Sequence, residues 1–301
     1  MSSGPRESRY AMPTTHTLRT TGVDTTYDID GPLPTADGRP PLFMIGHPMD
    51  ATGFRTLASY FPDRTVITYD PRGLGRSERN DGRVDFVPTV LADDLHAVIE
   101  ALGAGPVELL ASSGGAVTAL ALVTAYPDDV TILVAHEPPI VPVLPDAEAA
   151  DRAFNAVLET YESRGWGAGM AGFIAMTSWR GEFTDDYFAQ PAPDPAMFGM
   201  PTEDDGSRDD PLLSGRGSAI STYLPDVDAL TAAPTRIVIA VGEESLGTMT
   251  GRTAVATAEL LSQEAVVFPS HHGGFMGGEF GYAGQPEAFA ERLHEVLDQR
   301  G

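Results

Sequence analysis

The sequence predicts an α/β fold: a mostly parallel central sheet flanked by helices, interrupted by a helical insertion. Three observations predict it. Short apolar runs of strand length alternate with helix-like runs between about residues 42 and 135, the pattern of a parallel sheet with helical crossovers. The alternation stops at about residues 142–225, where no apolar strand-like run occurs, and resumes at Arg236. The clusters of serine, histidine and acid that stand out each follow a strand-like run, which is where open α/β sheets bind ligands.

The elements follow in order. Residues 1–17 are polar, lack the apolar core of a signal peptide, and read as a flexible lead-in. Residues 16–20 and 25–29 alternate weakly and suggest an opening hairpin. Residues 42–45 form a buried-strand pattern that leads into Gly46-His47-Pro48-Met49-Asp50. A short helix at 53–60 and a strand at 65–69 come next, ending in Asp70-Pro71-Arg72-Gly73-Leu74-Gly75-Arg76-Ser77. After Pro88, Val90, Leu91, Leu95, Val98, Ile99 and Leu102 recur at helical spacing until Gly103 stops them. A strand at 107–110 runs into a helix at 116–126, and a strand at 130–135 ends in His136-Glu137-Pro138-Pro139.

Within the insertion, 147–163 is the best helix, and 164–180 is a glycine-spaced segment carrying Trp166, Met170, Phe173, Met176 and Trp179. Residues 236–241 (strand), 253–261 (helix), 265–268 (strand) and 286–297 (amphipathic helix) complete the chain. The core is therefore expected at 18–141 and 226–301, with a helical cap at 142–225 over the C-terminal ends of the strands.

Composition excludes several function classes. The 301 residues carry a formal net charge of −24, and all 19 basic residues are arginine. Nucleic acid and anionic membranes are repelled by such a surface. The acidity fits either a saline habitat or, more simply, an acidic protein from a GC-rich genome. With no cysteine, disulfides, thiolate metal sites and a cysteine nucleophile are excluded. No apolar run reaches bilayer-spanning length, so a cytoplasmic location is expected.

The stretch Leu109-Leu110-Ala111-Ser112-Ser113-Gly114-Gly115-Ala116 has the layout of a nucleophile elbow, a sharp strand-to-helix turn that thrusts a serine oxygen outward. The residues two before and two after the serine crowd together and must be small. Ser113 has Ala111 and Gly115 in those places, whereas Ser112 would have Leu110. Ser113 is the candidate nucleophile, and the Gly114 N–H is a candidate oxyanion donor.

Four segments together make the chain resemble the α/β-hydrolase superfamily over most of residues 18–300 outside the insertion. They are His47-Pro48-Met49, the Asp70–Ser77 segment, the elbow, and Phe268-Pro269-Ser270-His271-His272-Gly273-Gly274. The second is characteristic of the esterase, haloperoxidase and epoxide-hydrolase branch. The resemblance implies a Ser…acid…His order along the chain. It implies His272 as the proton shuttle, with His271 as the alternative.

The usual acid position, three residues beyond the glycine that ends strand 236–241, holds Ser245 here. Glu137, after the preceding strand, is preferred, because a triad is a matter of geometry. Glu244 is the alternative, and an absent acid is a third reading. Met49 is the second expected oxyanion donor, because Pro48 has no N–H. His47, Trp166, Phe173 and Trp179 are candidate pocket residues. The bland readings are a loop-anchoring role for His47 and plain core packing for the aromatics. Asp70, Arg72 and Arg76 read as a turn-stabilising cluster.

These residues imply a serine hydrolase acting on a carboxylic ester or related acyl bond of a small, apolar substrate. No cofactor and no metal are implied; the expected partner is a small-molecule substrate, and a homodimer is left open. The rivals are a carbon–carbon hydrolase, lyase or natural-product tailoring enzyme on the same fold, and a small-molecule binder with weakened catalysis.

Overall fold

The computed structural model describes residues 13–281 and 283–299. Nine strands form one sheet: β1 Thr14–Thr20, β2 Val23–Asp30, β3 Leu42–His47, β4 Val66–Tyr69, β5 Glu78–Arg79, β6 Val107–Ser113, β7 Val130–His136, β8 Arg236–Gly242 and β9 Val266–Phe268. Their order is β1-β2-β4-β3-β6-β7-β8-β9, with β5 paired to β2. β1, β2, β4 and β5 pair antiparallel at one edge, and every pairing from β4 through β3 to β9 is parallel.

Alternation along the central strands sorts side chains to two faces. Phe43, Ile45, Leu109, Ala111, Leu133, Ala135, Ile239 and Val241 face one core, with the helices Pro88–Leu102, Gly114–Ala125 and Met249–Leu260. Leu42, Met44, Leu110, Val134, Val238 and Ala240 face the other, beneath the helix Pro286–Asp298 and Phe54 and Leu57. The helix Gly114–Ala125 is buried from Gly114 through Val123 and has no polar face, as befits a helix at the centre of a domain.

The expected strands and long helices are present, with shifted ends. The lead-in needs correction: Thr14–Thr17 pair with Thr26–Ile29 in the opening hairpin, and residues 1–12 lie outside the described residues. β3 and β6 continue past their apolar runs because Gly46, His47, Ser112 and Ser113 keep the ladder register. β5 is two charged residues, with no apolar pattern to announce it. The helix expected at 253–261 begins at Met249, where the Thr248 hydroxyl accepts from the Gly251 N–H and caps the first turn.

The segment after β4 is a charge cluster, as read from the sequence. Asp70 accepts from the backbone N–H of Ala51 at 3.0 Å and of Arg76 at 2.7 Å. Arg72 grips buried Asp94 through two bonds of 2.8 and 2.7 Å, and Asp81 through a third of 2.7 Å. Removing Arg72 would strand a buried carboxylate at a cost of about 3–5 kcal/mol.

Between β7 and β8 the described residues form helices and loops only. The helices Ala147–Arg164 and Trp166–Ser178 share an apolar cluster that includes Val157, Tyr161, Met176 and, from the helix after β8, Met249. No helix of the described residues is long and apolar enough to cross a membrane.

Candidate active site

Ser113 ends β6 at φ 56° and ψ −130°, a left-handed conformation that costs a residue with a Cβ about 1–3 kcal/mol. The surroundings hold it there. A Cβ at Gly115 would lie 2.8 Å from the Gly46 Cα, so the elbow helix can seat against β3 only with glycine at this place. Ala111 is fully buried. The small neighbours that singled out Ser113 over Ser112 are thus a requirement of packing. Gly114 is the first residue of the helix, where N–H groups have no intrahelical acceptor and the helix dipole favours negative charge.

Glu137 follows β7 directly, also with positive φ, 48°, and its side chain has no exposed surface. Its Oε2 accepts from the Thr250 hydroxyl at 2.6 Å and lies 2.6 Å from His272 Nδ1. Its Oε1 accepts from the Gly242 N–H at 2.9 Å. A Cβ at Gly242 would sit 2.6 Å from the Ser270 carbonyl and 3.0 Å from Glu137 Oε1, so the approach of these three loops depends on glycine. Burial alone would raise the Glu137 pKa. The His272 ring outweighs it, with help from His136 and the Thr250 hydroxyl, and holds the carboxyl well below the usual range. A carboxylate bonded to Nδ1 requires Nδ1–H there, so in the neutral ring the free lone pair is on Nε2.

His271 turns elsewhere. Its Nδ1 accepts from the Gly273 N–H at 3.1 Å, and its Nε2 lies 3.3 Å from the Ala283 carbonyl. Glu244 is exposed; its N–H donates to the Ser270 carbonyl, and its own carbonyl accepts from Arg180. Ser245 is buried in a short 3-10 turn.

A cavity of about 540 Å³ opens over these groups and is lined by both Ser113 and His272. Their side chains are not hydrogen bonded to each other in this structure. His47, Pro48 and Gly114 contribute to the floor. The His47 ring packs edge-on against Phe86 at 4.5 Å, and burial pushes its pKa down to about 3, so it is a neutral wall residue. Met49 directs its side chain toward Gly46 and Gly53. Its N–H donates to no group among the described residues. A second cavity, about 620 Å³, lies at the antiparallel edge near Asp28, Arg55 and Arg76. It contains no serine–histidine pair and none of the expected site residues.

The roof comes from the insertion. Phe154, Phe173, Ile174 and Thr177 line the cavity, as do Met249, Thr250 and Met276 from the core. Trp166 and Trp179 do not, which corrects the expectation for both. The Trp166 indole N–H is turned to Asp210 at 2.9 Å, and that of Trp179 to the Glu182 carbonyl at 3.0 Å. Thr250 went unrecognised because glycine at 251 hides the first turn of its helix. Thr177 was recoverable as the i+4 neighbour of Phe173 on one helix face, and Ile174 as the residue three before Thr177.

Several links tie the insertion to the segment after β8, among them a hydrogen bond of 2.8 Å from Arg252 Nη1 to the Gly181 carbonyl. Arg180 Nη2 donates to the Glu244 carbonyl at 2.7 Å, the Gly181 N–H donates to the Gly247 carbonyl at 2.8 Å, and Arg252 pairs with Asp146. No group of three or more potential metal ligands occurs among the described residues.

Comparison with known proteins agrees with this architecture. Residues 42–164 match the family model described as alpha/beta hydrolase fold. The chain is 26% identical over 290 residues to the uncharacterized hydrolase YraK of Bacillus subtilis (strain 168), covering 94% of this chain and 96% of that one. Among solved structures it resembles a thermophilic esterase from Thermogutta terrifontis, with a TM-score of 0.62, 23% identity and coverage of 95% of this chain and 98% of the other. It also resembles MGS-M2, an alpha/beta hydrolase enzyme from a deep-sea metagenome library, with a TM-score of 0.65, 17% identity and coverage of 95% and 98%.

Proposed function

We propose that this chain is a serine hydrolase of the α/β-hydrolase superfamily, whose fold model matches residues 42–164, and that it cleaves a carboxylic ester, or a related acyl bond, in a small apolar substrate. The observation that carries the reading is the 2.6 Å contact between buried Glu137 and His272 beside a cavity that also exposes the strained Ser113.

In this reading His272 Nε2 takes the Ser113 proton as Oγ attacks the substrate carbonyl. Glu137 stabilises the imidazolium that forms and takes up no proton itself. The Gly114 and Met49 N–H groups hold the oxyanion of the tetrahedral intermediate. Its collapse expels the alcohol, which leaves with the proton from His272. Water then repeats the sequence on the acyl-enzyme and returns Ser113. Ser113 and His272 line the same cavity, and a serine–histidine hydrogen bond of this kind often tightens only in the substrate complex.

Two further observations support the reading. Haloalkane dehalogenases and epoxide hydrolases carry aspartate at the elbow, and this chain carries Ser113. The walls from Phe154, Phe173, Ile174, Met249 and Met276 suit an apolar group, with Arg180 and Glu244 as the charged residues of the same lining. The test is labelling of the intact protein with a fluorophosphonate. Labelling at Ser113, lost in Ser113→Ala together with hydrolysis of a short-chain p-nitrophenyl ester, is the expected result. Intact protein that resists the reagent and leaves the ester uncleaved would falsify it.

A further inference from the structure

Directly behind the acid lies a histidine that the proposed chemistry does not use. His136 ends β7 beside Ser112, its register partner on β6, and both are buried on the same face of the sheet. Ser112 Oγ lies 3.3 Å from His136 Nδ1. The other ring nitrogen, Nε2, has no hydrogen-bond partner and stands 3.8 Å from Glu137 Oε1. Phe289 and Phe275 meet the ring edge-on at 5.3 and 6.2 Å, and the ring has no exposed surface. The aromatic cage fixes its plane and excludes water.

Two arguments select the tautomer. Ser112 is a buried hydroxyl with no other hydrogen-bond partner among the described residues, so donating its proton to Nδ1 is the one arrangement that satisfies it. That choice places the ring proton on Nε2. In the opposite tautomer an Nε2 lone pair would face the Glu137 carboxylate, and the Ser112 proton would have no acceptor. The ionisable groups that face the ring are Glu137 at the end of its own strand and His272 and His271 from the loop after β9.

We propose that His136 is a positioning residue for the acid. Held as the Nε2–H tautomer by Ser112, it directs that N–H toward Glu137 Oε1 and keeps the carboxylate turned so that Oε2 meets His272. Oε1 then faces two donors, Gly242 N–H and His136 Nε2–H, and Oε2 faces Thr250 and His272. The consequence for turnover rests on the Ser113–His272–Glu137 reading; the tautomer and the carboxylate orientation do not.

The experiment is NMR of the full-length, 15N-histidine-labelled protein at pH 7, with H136F and H136Q as variants. Phenylalanine fits the aromatic cage and removes the N–H; the glutamine amide restores a donor near Nε2. The expected wild-type result is a protonated Nε2 and a bare Nδ1 at His136, with a downfield His272 Nδ1–H resonance. H136F should move that resonance upfield and lower kcat about tenfold at unchanged KM. H136Q should keep the resonance and stay within about threefold of wild type. A protonated Nδ1 at His136, or a His272 resonance unmoved in H136F, overturns the proposal. If H136F does not fold, the wild-type tautomer still decides. Fluorophosphonate-labelled wild type together with an H136F kcat equal to wild type overturns the positioning role alone. An unlabelled wild type overturns the hydrolase reading and leaves the tautomer result standing.

Discussion

Two loops at the top of the sheet each carry acid, and only one buries it against His272; Glu244 of the other stays exposed at the lining of the cavity. After β7, Glu137 is fully buried and held by hydrogen bonds with Gly242, Thr250 and His272. After β8, Glu243 and Glu244 are exposed on a short 3-10 turn, and the Glu244 backbone is committed to Ser270 and Arg180. The second loop has nonetheless kept a part in the site. It supplies the Gly242 N–H to one carboxylate oxygen, and the helix that follows supplies the Thr250 hydroxyl to the other. The charge comes from one loop and most of its hydrogen-bond donors from the next, which is why a triad is recognised by geometry rather than by position in the chain.

The sharpest way to break this comparison is to neutralise each acid in turn. Glu137→Gln should lower kcat by about 10³–10⁴-fold with little change in KM, because the histidine loses its orienting charge. Steady-state kinetics on a p-nitrophenyl ester checks it, and a fall of that size in Glu244→Gln would reverse the assignment.

Acid titration sharpens the comparison next, since the β7 end carries two groups with altered protonation. Burial lowers His136 from its ordinary 6.5 to about 4 in the folded protein. The unfolded chain therefore takes up its proton first. Stability should fall as pH drops from about 6.5 toward 4, by up to about 1.4 kcal/mol per pH unit. Glu137 has a depressed folded pKa, so its contribution is fully present above the ordinary carboxylate range and is lost only as pH falls below it. Buried His47, lowered to about 3, adds a loss of the same sign over the same range, so urea midpoints at pH 7, 5.5 and 4.5 should show the first phase and H136Q should reduce it by about half.

A smaller effect is expected from the donor on the β8 side. Thr250→Val removes one hydrogen bond to the carboxylate and should cost about tenfold in kcat, with the fold intact by circular dichroism. Smallest of all, Glu244→Gln should cost at most about threefold in kcat/KM, measured on the same ester.

Much of this arrangement was legible in the sequence, for identifiable reasons. The parallel strands announced themselves because both faces are covered, so their residues form continuous apolar runs. Ser113 could be told from Ser112 because the elbow admits only small neighbours, a rule that acts within five residues. The acid could not be settled in this way. Glu137 and Glu244 lie 107 positions apart, and which one turns inward depends on Gly242 and Ser270 meeting over β8. The pocket was the least legible part. Trp166 and Phe173 belong to one helix, but only Phe173 lines the cavity. Seven residues apart, the two share a helix face, and what separates them is about 10 Å along the axis, which leaves Trp166 beside Asp210, a packing outcome with no local signature. Composition flagged the aromatics and could not say which of them faced the site.

The links between the insertion and the segment after β8 bear on how this protein could be re-engineered. Asp146, Arg180 and Gly181 belong to the insertion, and their partners Arg252, Glu244 and Gly247 belong to the sheet side. The same stretch from Gly242 to Arg252 also carries two donors to the acid. A foreign roof grafted between β7 and β8 would leave Arg252 without its carboxylate, and the resulting displacement would reach the Thr250 hydroxyl two residues away. Substrate range and turnover are therefore coupled traits here. A library that varies the roof should vary residues 242–252 with it, and cavity-facing positions such as Phe173 and Ile174 can be changed without touching either set of links.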